Sequence, residues 1–187
     1  MEALAYELPI TVEEYLEGEE QSEIRHEYID GYVHAMAGER VPHNEIAGTL
    51  YSAIRAKTRG GKCRTFMEGI KVYPLAGALK LFYYPDVMVA CDERDQDDRY
   101  RRYPKLLIEV SSDSTVSKDR SEKLIAYLQI ETLEEYVIVA QNRPEVSVYR
   151  RANGWEREML HGFEAMLELR SVGLTLTLGE VYDGVLR

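Results

Sequence analysis

Two short runs decide the fold: Tyr83-Tyr84-Pro85-Asp86-Val87-Met88-Val89-Ala90 and Leu106-Leu107-Ile108-Glu109-Val110-Ser111. Both are strand-like, and each carries one carboxylate in an otherwise apolar stretch. Burying a lone charge in such a strand is costly unless a partner neutralises it, and two neighbouring carboxylates repel unless a cation sits between them. Strand alternation puts Asp86 on the face of Met88 and Ala90, and Glu109 on the face of Leu107 and Ser111. If the strands are neighbours, the two acids converge. Such a pair offers Mg²⁺ or Mn²⁺ the hard oxygen ligands it prefers, with positions left for water and a phosphate oxygen.

Working outward, Thr11-Val12-Glu13-Glu14 reads as a capping box that opens a short helix to about Leu16, closed by Gly18. Extended arms at 24–29 and 32–36 flank Asp30-Gly31, a two-residue hairpin signal, with Glu27 in the first arm. Pro42 suits the first turn of a helix whose Ile46, Leu50 and Ile54 recur every four residues, ending at Gly60-Gly61. Three extended segments follow, at 63–73, 81–90 and 104–111, the last two separated by a polar loop over 92–99. The spacing then predicts a helix over 115–129 with Leu124, Ile125 and Leu128 buried, and an apolar run at 136–140 buried on both faces. Strands at 145–150 and 155–160 form a hairpin around Asn153-Gly154, and Leu174, Leu176 and Leu178 alternate before a short helix near 179–186.

Helix, three strands, helix, strand, with a hairpin added at each end, predicts a mixed α/β sheet flanked by helices. The 187 residues and 45% hydrophobic content fit one compact domain over 1–187, with its core at about 42–140. No apolar stretch approaches the ~20 residues of a membrane span, and Met1-Glu2-Ala3-Leu4-Ala5 lacks the basic start of a signal peptide, so a soluble cytoplasmic protein is expected. Cys63 and Cys91 stand 28 positions apart, with no Cys or His at ligand spacing. Neither a disulfide framework nor a zinc site is expected, and a reducing compartment fits. The formal charge of −10 weighs against tight non-specific binding to nucleic acid. It leaves open whether Arg55, Lys57, Arg59, Lys62 and Arg64 form a local basic patch or a solvated helix end.

Phosphodiester hydrolysis also needs a cation near the reacting phosphate, and Lys123 is the candidate, with Asp119 and Tyr127 at four-residue spacing on its helix face. It reaches the acids only if that helix runs back across the strand end; otherwise it is a surface lysine paired with Asp119. His43 is either a locally bonded helix-start residue or a cleft-facing acid, base or ligand. Glu27 is either a cross-strand partner of Arg25 or a member of the site. Ser111, Ser112, Ser114 and Thr115 lack the turn of a nucleophile elbow and are read as helix caps.

Pro85-Asp86, Ile108-Glu109-Val110-Ser111-Ser112, Asp119-Arg120, Lys123 with Tyr127, and Glu135-Tyr136-Val137-Ile138-Val139, in that order, resemble the PD-(D/E)XK restriction-endonuclease-like superfamily. Within it they most resemble the Uma-two family. His26-Glu27-Tyr28-Ile29-Asp30-Gly31 and His43-Asn44-Glu45-Ile46 match that family's N-terminal pattern, so the resemblance spans residues 9–183 or so. It implies an αβββαβ nuclease core and an Mg²⁺- or Mn²⁺-dependent endonuclease acting on DNA. In that reading Asp86 and Glu109 are the metal-binding acids and Glu27 is an additional acidic member that assists the metal. The superfamily's lysine would fall two residues after Glu109, where this chain has Ser111; in some branches it migrates to the following helix, which is where Lys123 stands. Two-strand cutting by analogy implies a homodimer. The competing reading is a nuclease fold without cleavage, serving as a binding or assembly module. A glycosidase using the same two acids is a more distant alternative, since no aromatic sugar cleft accompanies them.

Overall fold

The computed structural model describes residues 9–112 and 119–186. The elements run α1 (Val12–Gln21), β1 (His26–Ile29), β2 (Tyr32–Ala35), α2 (Val41–Thr58), β3 (Arg64–Met67), β4 (Lys71–Val72), β5 (Leu75–Ala76), β6 (Leu79–Phe82) and β7 (Val87–Ala90). They continue with β8 (Tyr100–Arg101), β9 (Pro104–Ser111), a π-helical turn (Asp119–Lys123), α3 (Leu124–Tyr127), β10 (Glu135–Ala140), β11 (Glu145–Arg150), β12 (Arg157–His161), β13 (Met166–Leu169), β14 (Leu174–Thr177) and α4 (Leu178–Val181).

The central sheet has six strands in the order β12-β11-β10-β9-β7-β3. β3, β7 and β9 are successively antiparallel, and β10 lies parallel to β9. A parallel pair needs a crossover, and the segment holding the π turn and α3 supplies it. Both faces are apolar because both are covered. Ile46, Ala47, Leu50 and Ile54 of α2 pack on Val87, Val89, Ile108, Val110, Val137 and Val139. On the opposite face Met88, Leu107, Tyr136 and Ile138 meet Ala126, Tyr127 and Ile130. All six residues of β10 are buried: the apolar run 136–140, as expected between two neighbours, and Glu135, which Arg150 neutralises. The α2-β3-β7-β9-α3-β10 series is the αβββαβ core expected from the sequence.

Four local expectations are corrected. The extended segment at 81–90 is not one strand: β6 joins the N-terminal hairpin in a second sheet, β2-β1-β6-β5, while β7 enters the central one. The break falls at Tyr83 to Asp86, where Pro85 has no N–H for a ladder, so Asp86 stands just before its strand. Helix α1 does not stop at Gly18 but runs to Gln21. Glu19 accepts hydrogen bonds from the His26 N–H (2.8 Å) and Tyr84 OH (2.7 Å), which outweighs the ~1 kcal/mol cost of an interior glycine. In the crossover helix the inward stripe is Lys123, Ala126, Tyr127 and Ile130, whereas Ile125 is 66% exposed. Lys123 turns in because buried carboxylates receive it, as described below; Asp119-Arg120 begin the π turn, and positions 114 and 115 lie outside the described residues.

The fourth correction concerns the cysteines. Cys63 and Cys91 form a disulfide. Their 28-residue separation hides their adjacency: they flank the antiparallel β3–β7 pair, next to the Arg64↔Ala90 register. The argument from free thiols for a reducing compartment falls with it. No helix among the described residues is long and apolar enough to cross a membrane. Arg55, Lys57, Arg59, Lys62 and Arg64 are exposed and none lines the main cleft.

Candidate active site

Register brings the two acids together. Val87 pairs with Ile108 and Met88 with Leu107, and continuing that antiparallel ladder by one residue sets Asp86 opposite Glu109. Asp86 itself precedes β7, and its carboxylate reaches both His43 of α2 and the β9 backbone. Asp86 Oδ2 accepts the Val110 backbone N–H, which fixes one carboxylate against the other strand. Both side chains are buried, and both line a cleft of about 730 Å³ together with Glu27, His43, Tyr84 and Lys123.

Lys123 comes to Glu109 from the crossover helix. Its Nζ lies 3.1 Å from Glu109 Oε1 and 3.3 Å from Glu27 Oε1, and the lysine is only 6% exposed. The helix therefore does run back over the strand end, which is the condition the sequence left open. Tyr127, one turn on, donates its OH to the same Glu109 oxygen at 2.9 Å. Burial, and then the Glu109 charge, push the Tyr127 phenol well above its ordinary range, so it remains a donor. Glu27 sits on β1 opposite His34, and its carboxylate is directed to Lys123, while Arg25 binds the Glu68 carbonyl (2.7 Å) and Glu39 (3.5 Å) instead. Burial, followed by the Glu27 charge, raises the Tyr83 phenol beneath this cluster to about 12. Position 111 holds a buried serine in register with Ala140, on the Glu109 face.

On the Asp86 side, α2 contributes His43 from its first turn. His43 Nε2 lies 3.2 Å from Asp86 Oδ2, and His43 Nδ1 lies 3.3 Å from Glu39 Oε2. Burial alone would lower the imidazole's pKa, but the neighbouring Asp86 and Glu39 carboxylates outweigh it and raise it to about 10. The Glu39 carboxyl is held below its ordinary value, chiefly by His43. Glu39, His43 and Asp86 each offer a ligand atom, all within 4.8 Å of one another. A divalent ion fits this donor set, which has Asp86 in common with the pair expected from the strands. Sequence reasoning left His43 open and missed Glu39. The signal was the four-residue Glu39-x-x-x-His43 spacing at a helix start, which stays ambiguous until the helix is known to end at the acids.

The site thus has an acid pair opposed across β7 and β9, a cation delivered from the crossover helix and an imidazole delivered from α2. The fold defines a class first: with a TM-score of 0.71 over 94% of this chain and 98% of the other, it matches the crystal structure of a putative nuclease belonging to DUF820 from Anabaena variabilis, at 21% identity. That is a restriction-endonuclease-like fold, mixed α+β with a central sheet between helices. The chain belongs to the Uma2 family, described as putative restriction endonucleases, whose profile matches residues 12–179. It is 31% identical over 179 residues to the uncharacterized protein slr1290 of Synechocystis sp. PCC 6803, covering 94% of this chain and 93% of that one. A second uncharacterized Synechocystis protein, sll1609, is 27% identical over 164 residues, or 85% of this chain and 92% of that one.

Proposed function

We propose that this protein is a metal-dependent endonuclease that hydrolyses phosphodiester bonds in DNA. The observation that carries the reading is the arrival at one cleft of Asp86, Glu109 and Lys123 from three separate elements. Asp86 and Glu109 hold a divalent cation, with Mg²⁺ and Mn²⁺ as the candidates. Bound there, the ion supplies Lewis acidity toward a phosphate oxygen and lowers the pKa of a bound water. Lys123 places positive charge beside Glu109, where the reacting phosphate gains negative charge. Glu27 and Glu109 fix the ammonium between them, and Tyr127 orients Glu109. Ser111 is no obstacle, because the lysine that the strand lacks reaches the same carboxylate from the helix. A homodimer, which presents two clefts to two strands, completes the proposal; sedimentation at micromolar concentration tests it.

The experiment is cleavage of supercoiled plasmid and linear duplex DNA with Mg²⁺ or Mn²⁺, comparing wild type with Asp86→Asn and Lys123→Ala. Wild type should cut and lose activity with EDTA, Asp86→Asn should be inactive, and Lys123→Ala should be slower by about 100-fold or more. Cleavage by Asp86→Asn at the wild-type rate would show the assignment to be wrong. A wild type that binds metal and folds normally but cuts no DNA supports the non-catalytic module, the reading that the −10 charge favours.

A further inference from the structure

We propose that His43 Nε2 is a direct ligand of the ion at Asp86, oriented through Nδ1 by Glu39, and that this nitrogen makes the cleft select a first-row transition ion over Mg²⁺. The inference rests on the reading of Asp86 as a metal-binding acid and adds a residue, a geometry and a metal class to it.

Distances carry the first step. Donors on adjacent vertices of an octahedron with ~2.1 Å bonds lie about 3.0 Å apart. His43 Nε2 and Asp86 Oδ2 are 3.2 Å apart, so little movement separates the observed pair from two ligands of one ion. Both donors sit on rigid supports. His43 is in the first turn of an 18-residue helix whose Ile46 and Ala47 are fully buried, and Asp86 is tied to the Val110 N–H.

Ring geometry carries the second step. An imidazole ligates through one nitrogen, and its other nitrogen is normally fixed by a carboxylate or carbonyl that sets tautomer and orientation. His43 has a carboxylate near each nitrogen: Asp86 3.2 Å from Nε2, and Glu39 3.3 Å from Nδ1 at ion-pair distance but without hydrogen-bond geometry. Nε2 faces the acid that lines the strand end, so Nε2 is the ligand and Glu39 is the positioning residue. The third step is ligand chemistry. Mg²⁺ prefers all-oxygen shells and keeps its waters, whereas imidazole suits transition ions. On the other side of the cleft, Glu109 Oε1 accepts from Lys123 and Tyr127.

The test is direct binding to the purified full chain, with Mn²⁺ and Mg²⁺ as probes. Calorimetry gives the affinity of each ion, and pulsed electron paramagnetic resonance of the Mn²⁺-loaded protein reads coupling to an imidazole ¹⁴N. Wild type should favour Mn²⁺ over Mg²⁺ by about tenfold or more and show the nitrogen coupling. His43→Ala should lose the coupling and weaken Mn²⁺ by about 10–100-fold while Mg²⁺ changes little, and Glu39→Gln should weaken Mn²⁺ with the coupling altered. An unchanged Mn²⁺ preference in a folded His43→Ala, or no nitrogen coupling in wild type, overturns the proposal. If Asp86→Asn abolishes binding in that case, the reading of Asp86 survives; if wild type binds neither ion, both fall. Should His43→Ala fail to fold, the coupling in wild type decides alone.

Discussion

Replacing Lys123 with methionine removes a charge while keeping most of the apolar stem, and the structure sets the size of the consequence. The ammonium lies 3.1 Å from Glu109 Oε1 and 3.3 Å from Glu27 Oε1, and all three side chains are buried. Without it the two Oε1 atoms stand no more than about 6.4 Å apart, where unit charges repel by roughly 2.6 kcal/mol or more at an effective dielectric of ~20. Two attractions are lost as well, partly offset because a buried ammonium no longer has to leave water. Removing one partner of a buried ion pair costs about 3–5 kcal/mol. At about 2–4 °C per kcal/mol for a chain of this size, the melting temperature should fall by roughly 6–20 °C. The paired variant Lys123→Met/Glu27→Gln should recover about 1–2 kcal/mol, since it deletes one of the two opposing charges. Urea titration of the metal-free proteins, monitored by circular dichroism, reads both values. If Lys123→Met lies within about 1 kcal/mol of wild type, or the second substitution adds to the loss, the lysine is not held between these acids and its placement in the site is wrong.

Two further outcomes follow from other parts of the molecule. Reducing the Cys63–Cys91 disulfide releases a loop of 28 residues' separation, which on chain-entropy grounds lowers stability by about 3–4 kcal/mol; denaturation with and without reductant measures it, and free thiols before reduction in the native protein would refute the pairing. In metal-free protein His43, with its pKa raised to about 10, should stay cationic through neutrality. A folded-state pKa above the unfolded one means that its contribution is fully present below about pH 6.5 and is lost as pH rises through the folded value. Imidazole NMR shifts followed against pH would contradict this if His43 titrated near the ordinary histidine value.

Periodicity made the scaffold legible. The 3.6-residue repeat of Ile46, Leu50 and Ile54 and the unbroken apolar run of β10 each report a helix or strand buried against a sheet, and such patterns survive because burial dominates the energy. Asp86 and Glu109 were legible for the complementary reason: a charge in an apolar run costs so much that it marks a site. What the sequence obscured depended on contacts across the fold. Gly18 reads as a stop, but Glu19 is held by His26 and Tyr84, from β1 and from the turn before β7, so tertiary bonds carry the helix past it. Ile125 reads as core, yet the inward position on that face belongs to Lys123, because Glu109 and Glu27 bind an ammonium more strongly than the sheet needs one more aliphatic chain. The cysteines looked unrelated at 28 residues because adjacency across an antiparallel ladder leaves no trace in spacing.

The same reasoning explains why Ser111 misleads. A strand motif fixes a lysine two residues from its glutamate, but the chemistry asks only that an ammonium reach that carboxylate from a support that cannot move. A helix crossing the strand end meets the requirement, and here it brings Tyr127 to the same oxygen one turn later. The spacing to read is therefore the four-residue step from Lys123 to Tyr127, which places both donors on one helical face over Glu109. By the same logic Glu39 and His43, also four apart, place a carboxylate and an imidazole together at the start of α2, beside Asp86. Glu109 is thus met by Lys123 and Tyr127 and Asp86 by His43, from segments that lie on opposite faces of the sheet.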